Sequence, residues 1–145
     1  MQQLLFITLL FITHFLTAQT LQLDTKASTF QWTGKAAFSA YSLSGTLEAK
    51  SGFVQLTDDQ LTAATLTLDM PSMDSEIGQL VKHLKSDDFF NVKKFKTATF
   101  VLTNPLYWAQ ATAANGDLTI KNVTKPVELI LTTVERKGNT LHLSG

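Results

Sequence analysis

The alternation of apolar and polar residues after Gln19 constrains this chain more than any other feature. STFQWT sets Phe30 and Trp32 against Gln31 and Thr33, and TLTLDM sets Leu66, Leu68 and Met70 against Thr65, Thr67 and Asp69. TATFVLT repeats the pattern with Ala98, Phe100 and Leu102. PVELILTT sets Val127, Leu129 and Leu131 against Glu128, Ile130 and Thr132. A strand points successive side chains to opposite faces, so period two with abundant Thr predicts half-buried antiparallel strands. Many such segments without a βαβ rhythm predict an all-β sandwich or barrel. The length, 145 residues, suits one domain.

One segment breaks the alternation. Between Ser72 and Ser86 the apolar residues are Met73, Ile77, Leu80, Val81 and Leu84, and from Ile77 they follow a helical stripe. Ser72 or Asp74 suits the N-cap, Glu76 the positive end of the helix dipole, and Lys82 and Lys85 the negative end. The expectation is one amphipathic helix at about 72–86. Turn chemistry appears at Lys50-Ser51-Gly52, at Thr57-Asp58-Asp59 and at Arg136-Lys137-Gly138-Asn139.

The chain opens with MQQLLFITLLFITHFLTAQT. The apolar run from Leu4 to Leu16, ending at Thr17 and Ala18, has the length of a signal-peptide core and is too short for a membrane span. The expected organisation is a signal peptide at 1–18 and one β domain at 19–145, exported to the periplasm or secreted. The chain has no cysteine, which excludes thiol catalysis, Cys-based metal sites and disulfides. Its formal net charge is zero, so no global field draws it to nucleic acid.

Three stretches together resemble the YceI-like family of exported lipid-binding proteins: LDTKASTFQWTGK at 23–35, HLKSDDFFNVKKFKTATF at 83–100 and GDLTIKNVTKPVEL at 116–129. The resemblance runs from about Leu21 to Leu143. It implies a lipocalin-like antiparallel barrel around a long apolar tunnel that holds a polyisoprenoid or fatty lipid, without catalysis or cofactor. The tunnel wall it implies draws on Phe30, Trp32, Phe38, Tyr41, Leu47 and Phe53 from the first half of the chain. From the second half come Leu66, Leu68, Phe100, Leu118 and Leu129. Gly116 then belongs to a continuing strand with the turn at Lys121–Thr124, although Asn115-Gly116 alone reads as a hairpin turn.

The sequence departs from the family pattern at Leu43, where many members have His, at Lys96, usually Pro, and at Asn122, usually Gly. It also stops at LHLSG, where members usually run on into further strand. The expectation is a barrel lacking its last strands, with an unpaired edge.

HLKSDDFFNVKKF at 83–95 holds a His, paired acids and lysines, and so raises the question of a catalytic or metal site. The three histidines are His14, His83 and His142, and no HxH or HExxH spacing occurs. The stretch reads as architecture: His83 and Lys85 end the helix, Ser86 and the Asp pair turn the chain, and Phe89 and Phe90 plug the barrel. Lys82, Lys85, Lys93 and Lys94 admit two readings, a solvated face or a rim for a lipid headgroup. Alternation does not distinguish a hollow barrel from a filled one. A filled barrel would be an exported interaction module working through a strand edge. N-terminal sequencing of the protein from its native host is expected to begin at or near Gln19, and an intact Met1 would refute the leader.

Overall fold

A computed structural model describes residues 17–35 and 42–145. In chain order these form β1 (Ala18–Gln22), β2 (Phe30–Lys35), β3 (Ser42–Thr57), β4 (Gln60–Asp74) and α1 (Gly78–Lys85). Then come β5 (Thr97–Leu102), β6 (Leu106–Tyr107), β7 (Ala113–Ile120), β8 (Val123–Ile130), β9 (Thr133–Lys137) and β10 (Thr140–Ser144). The fold is all-β and antiparallel with one short helix, as the alternation predicts. The apolar run 4–16, Phe38 and Tyr41 lie outside the described residues. No described helix is long and apolar enough to cross a membrane.

The main sheet runs β1-β3-β4-β5-β7-β8, with β2 also pairing along β3 and β6 along β4, while β9 and β10 form a separate hairpin. The sheet is barrel-like in order but does not close. Side chains bridge the gap instead: Arg136 Nη2 on β9 donates to Gln19 Oε1 on β1 at 2.6 Å.

β8 forms one edge of the sheet. Its hairpin with β7 turns through Lys121 and Asn122, both in the left-handed region at φ 51° and 62°. Two central residues with positive φ make the turn whose twist suits a tight hairpin, and Asn tolerates that region. Gly116 lies within β7, paired with Val127 on β8 and Leu102 on β5. A Cβ there would run into the Phe100 ring and the Val101 carbonyl oxygen.

Two expectations about punctuation fail. Lys50-Ser51-Gly52 is not a turn but the middle of β3, where the pairing with β4 slips by one residue between Ala49 and Ser51. That is a β-bulge, with one extra residue on β3. The helix starts at Gly78 rather than near Ser72, because β4 continues to Asp74. Ser72 caps nothing. Its hydroxyl accepts from Glu48 N at 2.8 Å and donates to the Asp69 carbonyl at 2.6 Å, clasping an irregularity in β4.

Gly116→Ala is expected to lower stability by about 2 kcal/mol or more, because the ring of Phe100 must move. Asn115→Ala, at an exposed neighbouring position, is expected to cost under about 1 kcal/mol. Urea melts of both variants check this.

Candidate ligand-binding face

The register assembles one apolar face. Gly52 on β3 pairs with Leu66 on β4, Leu66 with Phe100 on β5, Phe100 with Leu118 on β7, and Leu118 with Lys125 on β8. A second row runs from Ala49 through Leu68 to Ala98. On the other side of β3, Phe30 pairs with Leu47 and Trp32 with Gly45. The Trp32 indole lies so close over Gly45 that a Cβ there would meet it at 2.6 Å.

Helix α1 and the turn after it close one end of this face. Met70, Met73, Leu84, Val92 and Ala98 form the buried cluster, and Trp32, Leu47, Leu68, Leu80, Phe90 and Ile120 pack against it. Leu56, Leu61 and Ala114 are buried toward the opposite end. Between them Leu66, Leu102, Leu118 and Val127 are only half-buried.

Of the residues the sequence assigned to a tunnel wall, Phe30, Trp32, Leu47, Leu66, Leu68, Phe100 and Leu118 therefore share this face. Leu129 shares it by register, opposite Ala114, but is 41% exposed because β8 is an edge strand. Phe53 does not share it. It pairs with Gln22 and Thr65, in the row next to Gly52 and Leu66, and so points to the opposite face. Strict alternation from Leu47 puts Phe53 inward, but the extra residue at Lys50 reverses every position after it. Sequence reasoning also missed Lys125, which enters the first row opposite Leu118. The signal was available: fixing the turn at Lys121–Asn122 fixes that register.

A cleft of about 490 Å³ opens beside this face, lined by Thr25, Lys26, Ser28, Thr29, Phe30, Thr46, Leu47, Glu48 and Ala49. It lies where β1 has left β3 at Phe53 and β2 has not yet joined it at Leu47. Its lining joins Phe30, Leu47 and Ala49 of the apolar face to the exposed Lys26 and Glu48.

The stretch 83–95 is built as architecture. His83 O accepts from the Ser86 amide at 3.0 Å and from its hydroxyl at 2.7 Å. Ser86 O then accepts from Phe89 N at 3.1 Å and Asn91 N at 2.8 Å. Of Ser86 and the Asp pair, which were expected to turn the chain together, Ser86 supplies these bonds. Phe90 N returns to Leu84 O at 3.0 Å and its ring joins the core, but Phe89 is 44% exposed, so only one of the pair plugs the sheet. Lys82, Lys93 and Lys94 are exposed and Lys85 half-buried, all at this end. Among the described residues no side-chain cluster of metal-binding type occurs, and no polar or charged side chain is buried. Two indole N–H groups, Trp32 Nε1 and Trp108 Nε1, are shielded from solvent without an acceptor.

Fold and site together define a β-sheet protein with one continuous apolar face, closed at one end by a helix. Residues 21–144 match the model of the YceI-like domain, so the chain belongs to the YceI-like family. A UPF0312 protein of Ectopseudomonas mendocina (strain ymp) is 41% identical over 69 residues, which is 47% of this chain and 36% of that protein. Protein YceI of Escherichia coli O157:H7 is 39% identical over 64 residues, 44% of this chain and 34% of the relative. A UPF0312 protein of Vibrio vulnificus (strain YJ016) is 31% identical over 111 residues, 74% of this chain and 59% of the relative. The matched stretch thus covers less than two thirds of each of these relatives.

Phe90→Ala is expected to destabilise by about 3 kcal/mol through a cavity beside Leu84 and Met73. Phe89→Ala is expected to cost under about 1 kcal/mol. Equal costs in denaturant melts would contradict the split of the pair.

Proposed function

We propose that the protein is an exported, non-catalytic binder of a long-chain amphiphile, a polyisoprenoid or a fatty lipid, which lies along the apolar face. The observation that carries this reading is the burial pattern. The ends of the face are sealed, while Leu66, Leu102, Leu118 and Val127 in its middle keep part of their surface exposed. Burial of a hydrocarbon chain there is worth ~0.8 kcal/mol per CH₂, so a long tail binds without any specific polar contact. The head needs a polar setting, and Lys26 and Glu48 in the cleft lining, or Lys125 in the first row, supply one. The shielded Trp32 Nε1 is a donor beside the same face. A hydrogen bond to an amphiphile's oxygen would offset the cost of leaving it unsatisfied, about 1–3 kcal/mol. Export follows from the leader reading of the N-terminus.

The rival interaction module needs a receptive strand edge. β8 offers a poor one. The tight turn makes Ile120 and Val123 a hydrogen-bonded pair, so the amides of residues 124, 126, 128 and 130 point outward, and residue 126 is Pro. The missing central donor weakens any strand added there.

Organic extraction of the purified protein followed by lipid mass spectrometry is expected to recover a long-chain amphiphile in near-stoichiometric amount. Leu66→Arg places a charge in the middle of the face and is expected to abolish uptake of a fluorescent fatty-acid or isoprenoid probe. Uptake unchanged in a variant whose circular dichroism matches the parent would refute the reading.

A further inference from the structure

Phe89 is the anomaly of the helix end. Its neighbour Phe90 is drawn into the core, yet Phe89 holds 44% of its surface in solvent. It is not loosely placed. Its carbonyl accepts from Lys121 Nζ at 2.6 Å, and its ring meets those of Phe90 at 4.6 Å and His83 at 6.0 Å. The backbone of Phe89 is thus fixed by hydrogen bonds, and its exposed ring packs against two neighbouring rings.

Lysines are dense in the chain on either side of it, and Lys121 reaches it from the β7–β8 turn. Lys82 and Lys85 come from α1, Lys93, Lys94 and Lys96 from the turn that follows, and Lys121 from the β7–β8 turn. Asp87 and Asp88 are the acids between Lys82 and Lys96, so five lysines of that stretch stand against two aspartates in a chain whose net charge is zero. The ion pair seen among the described residues, Lys137 with Glu135, lies on the β9–β10 hairpin and involves none of them. A solvated face explains the lysines but not the packed ring, and a core contact explains the ring but not its exposure. A ring held outward within a basic patch fits a surface that is apolar beneath and anionic above.

We propose that this end of the molecule docks onto an anionic lipid bilayer, with Phe89 entering the boundary between headgroups and acyl chains and the lysines meeting the headgroups. The inference stands apart from the ligand reading, since it concerns a surface that the ligand face does not include.

The test is co-sedimentation of the full chain with vesicles of phosphatidylglycerol and phosphatidylcholine in equal parts, and with phosphatidylcholine alone. Parent and variants share one N-terminus, so an apolar leader does not account for differences between them. Replacing Lys93→Glu and Lys94→Glu together is expected to weaken binding to the anionic vesicles by about tenfold or more, with a shallower salt dependence. Because the chain has no cysteine, Phe89→Cys carries a single environment-sensitive nitrobenzoxadiazole label. Its emission is expected to shift to the blue on the anionic vesicles, while the same label at Asp59→Cys, in the turn at the far end of β4, stays unchanged. Unaltered vesicle binding after charge reversal overturns the proposal. So does an unshifted label at position 89 on bound protein, or a response to soluble polyglutamate equal to that on vesicles, which would mark an acidic protein surface as the partner.

Discussion

Side chains along a strand change face at every residue, so a sheet can present one apolar face only if each strand delivers its apolar set in phase. An inserted residue reverses that phase. β3 uses one insertion, at Lys50, to bring Gly52, Val54 and Leu56 to the side that Leu47 and Ala49 already occupy. β4 uses a larger one. Between the pairs Glu48–Asp69 and Thr46–Asp74 it carries several extra residues, Pro71 among them, and both Met70 and Met73 are buried as a result. Ser72 holds that irregularity by bonding to both strands. The buried methionines then form the floor on which Leu84 of α1 and Val92 of the following turn pack.

The same constraint separates what the sequence made legible from what it did not. Where alternation runs unbroken, as in TATFVLT, the residues alone assign faces correctly, and Ala98 and Phe100 are buried as read. The family resemblance resolved one of the two places where local turn chemistry misled, since Asn115-Gly116 lies within β7. Phe53 was misassigned because a bulge leaves no mark in a period-two pattern except a shift of phase, and Lys50-Ser51-Gly52 reads equally as a turn. The helix began too early for a related reason. Met73 fits both a helical stripe and a strand bulge, and only the partner strand, through Glu48 and Ser72, decides between them. Phe89 and Phe90 are chemically identical neighbours, so composition could not show which one faces in. The hydrogen bonds that the amides of Phe89 and Asn91 donate to the Ser86 carbonyl, and the left-handed Asn91 at φ 48°, set that choice.

The open sides of the sheet are managed by different means. β8 loses its central outward donor at Pro126 and carries Lys125 and Glu128 beside it, features that discourage a further strand. On the other side β1 and β2 divide the length of β3 between them, and Arg136 reaches from the β9–β10 hairpin to Gln19 on β1. Two strands sharing one edge leave a gap where neither pairs, bounded by Leu23 N on Gly52 O at 2.9 Å and by the Phe30–Leu47 pair.

That gap coincides with the Lys50 bulge, and the coincidence has a physical cause. An extra residue twists the strand and interrupts its ladder, so a neighbouring strand cannot run straight past it. β1 therefore stops where β3 turns, the chain from Leu23 to Thr29 arches away, and β2 resumes the pairing beyond. The arch is what leaves the cleft beside Phe30, Leu47 and Ala49. A β3 with strict alternation would carry one continuous neighbour and would seal the apolar face at this side, while turning Phe53 inward to fill it. The insertion thus does two things at once: it takes a large aromatic ring out of the face and leaves a cleft beside it. Both effects leave the face less filled by the chain's own residues, and both arise from a single inserted residue.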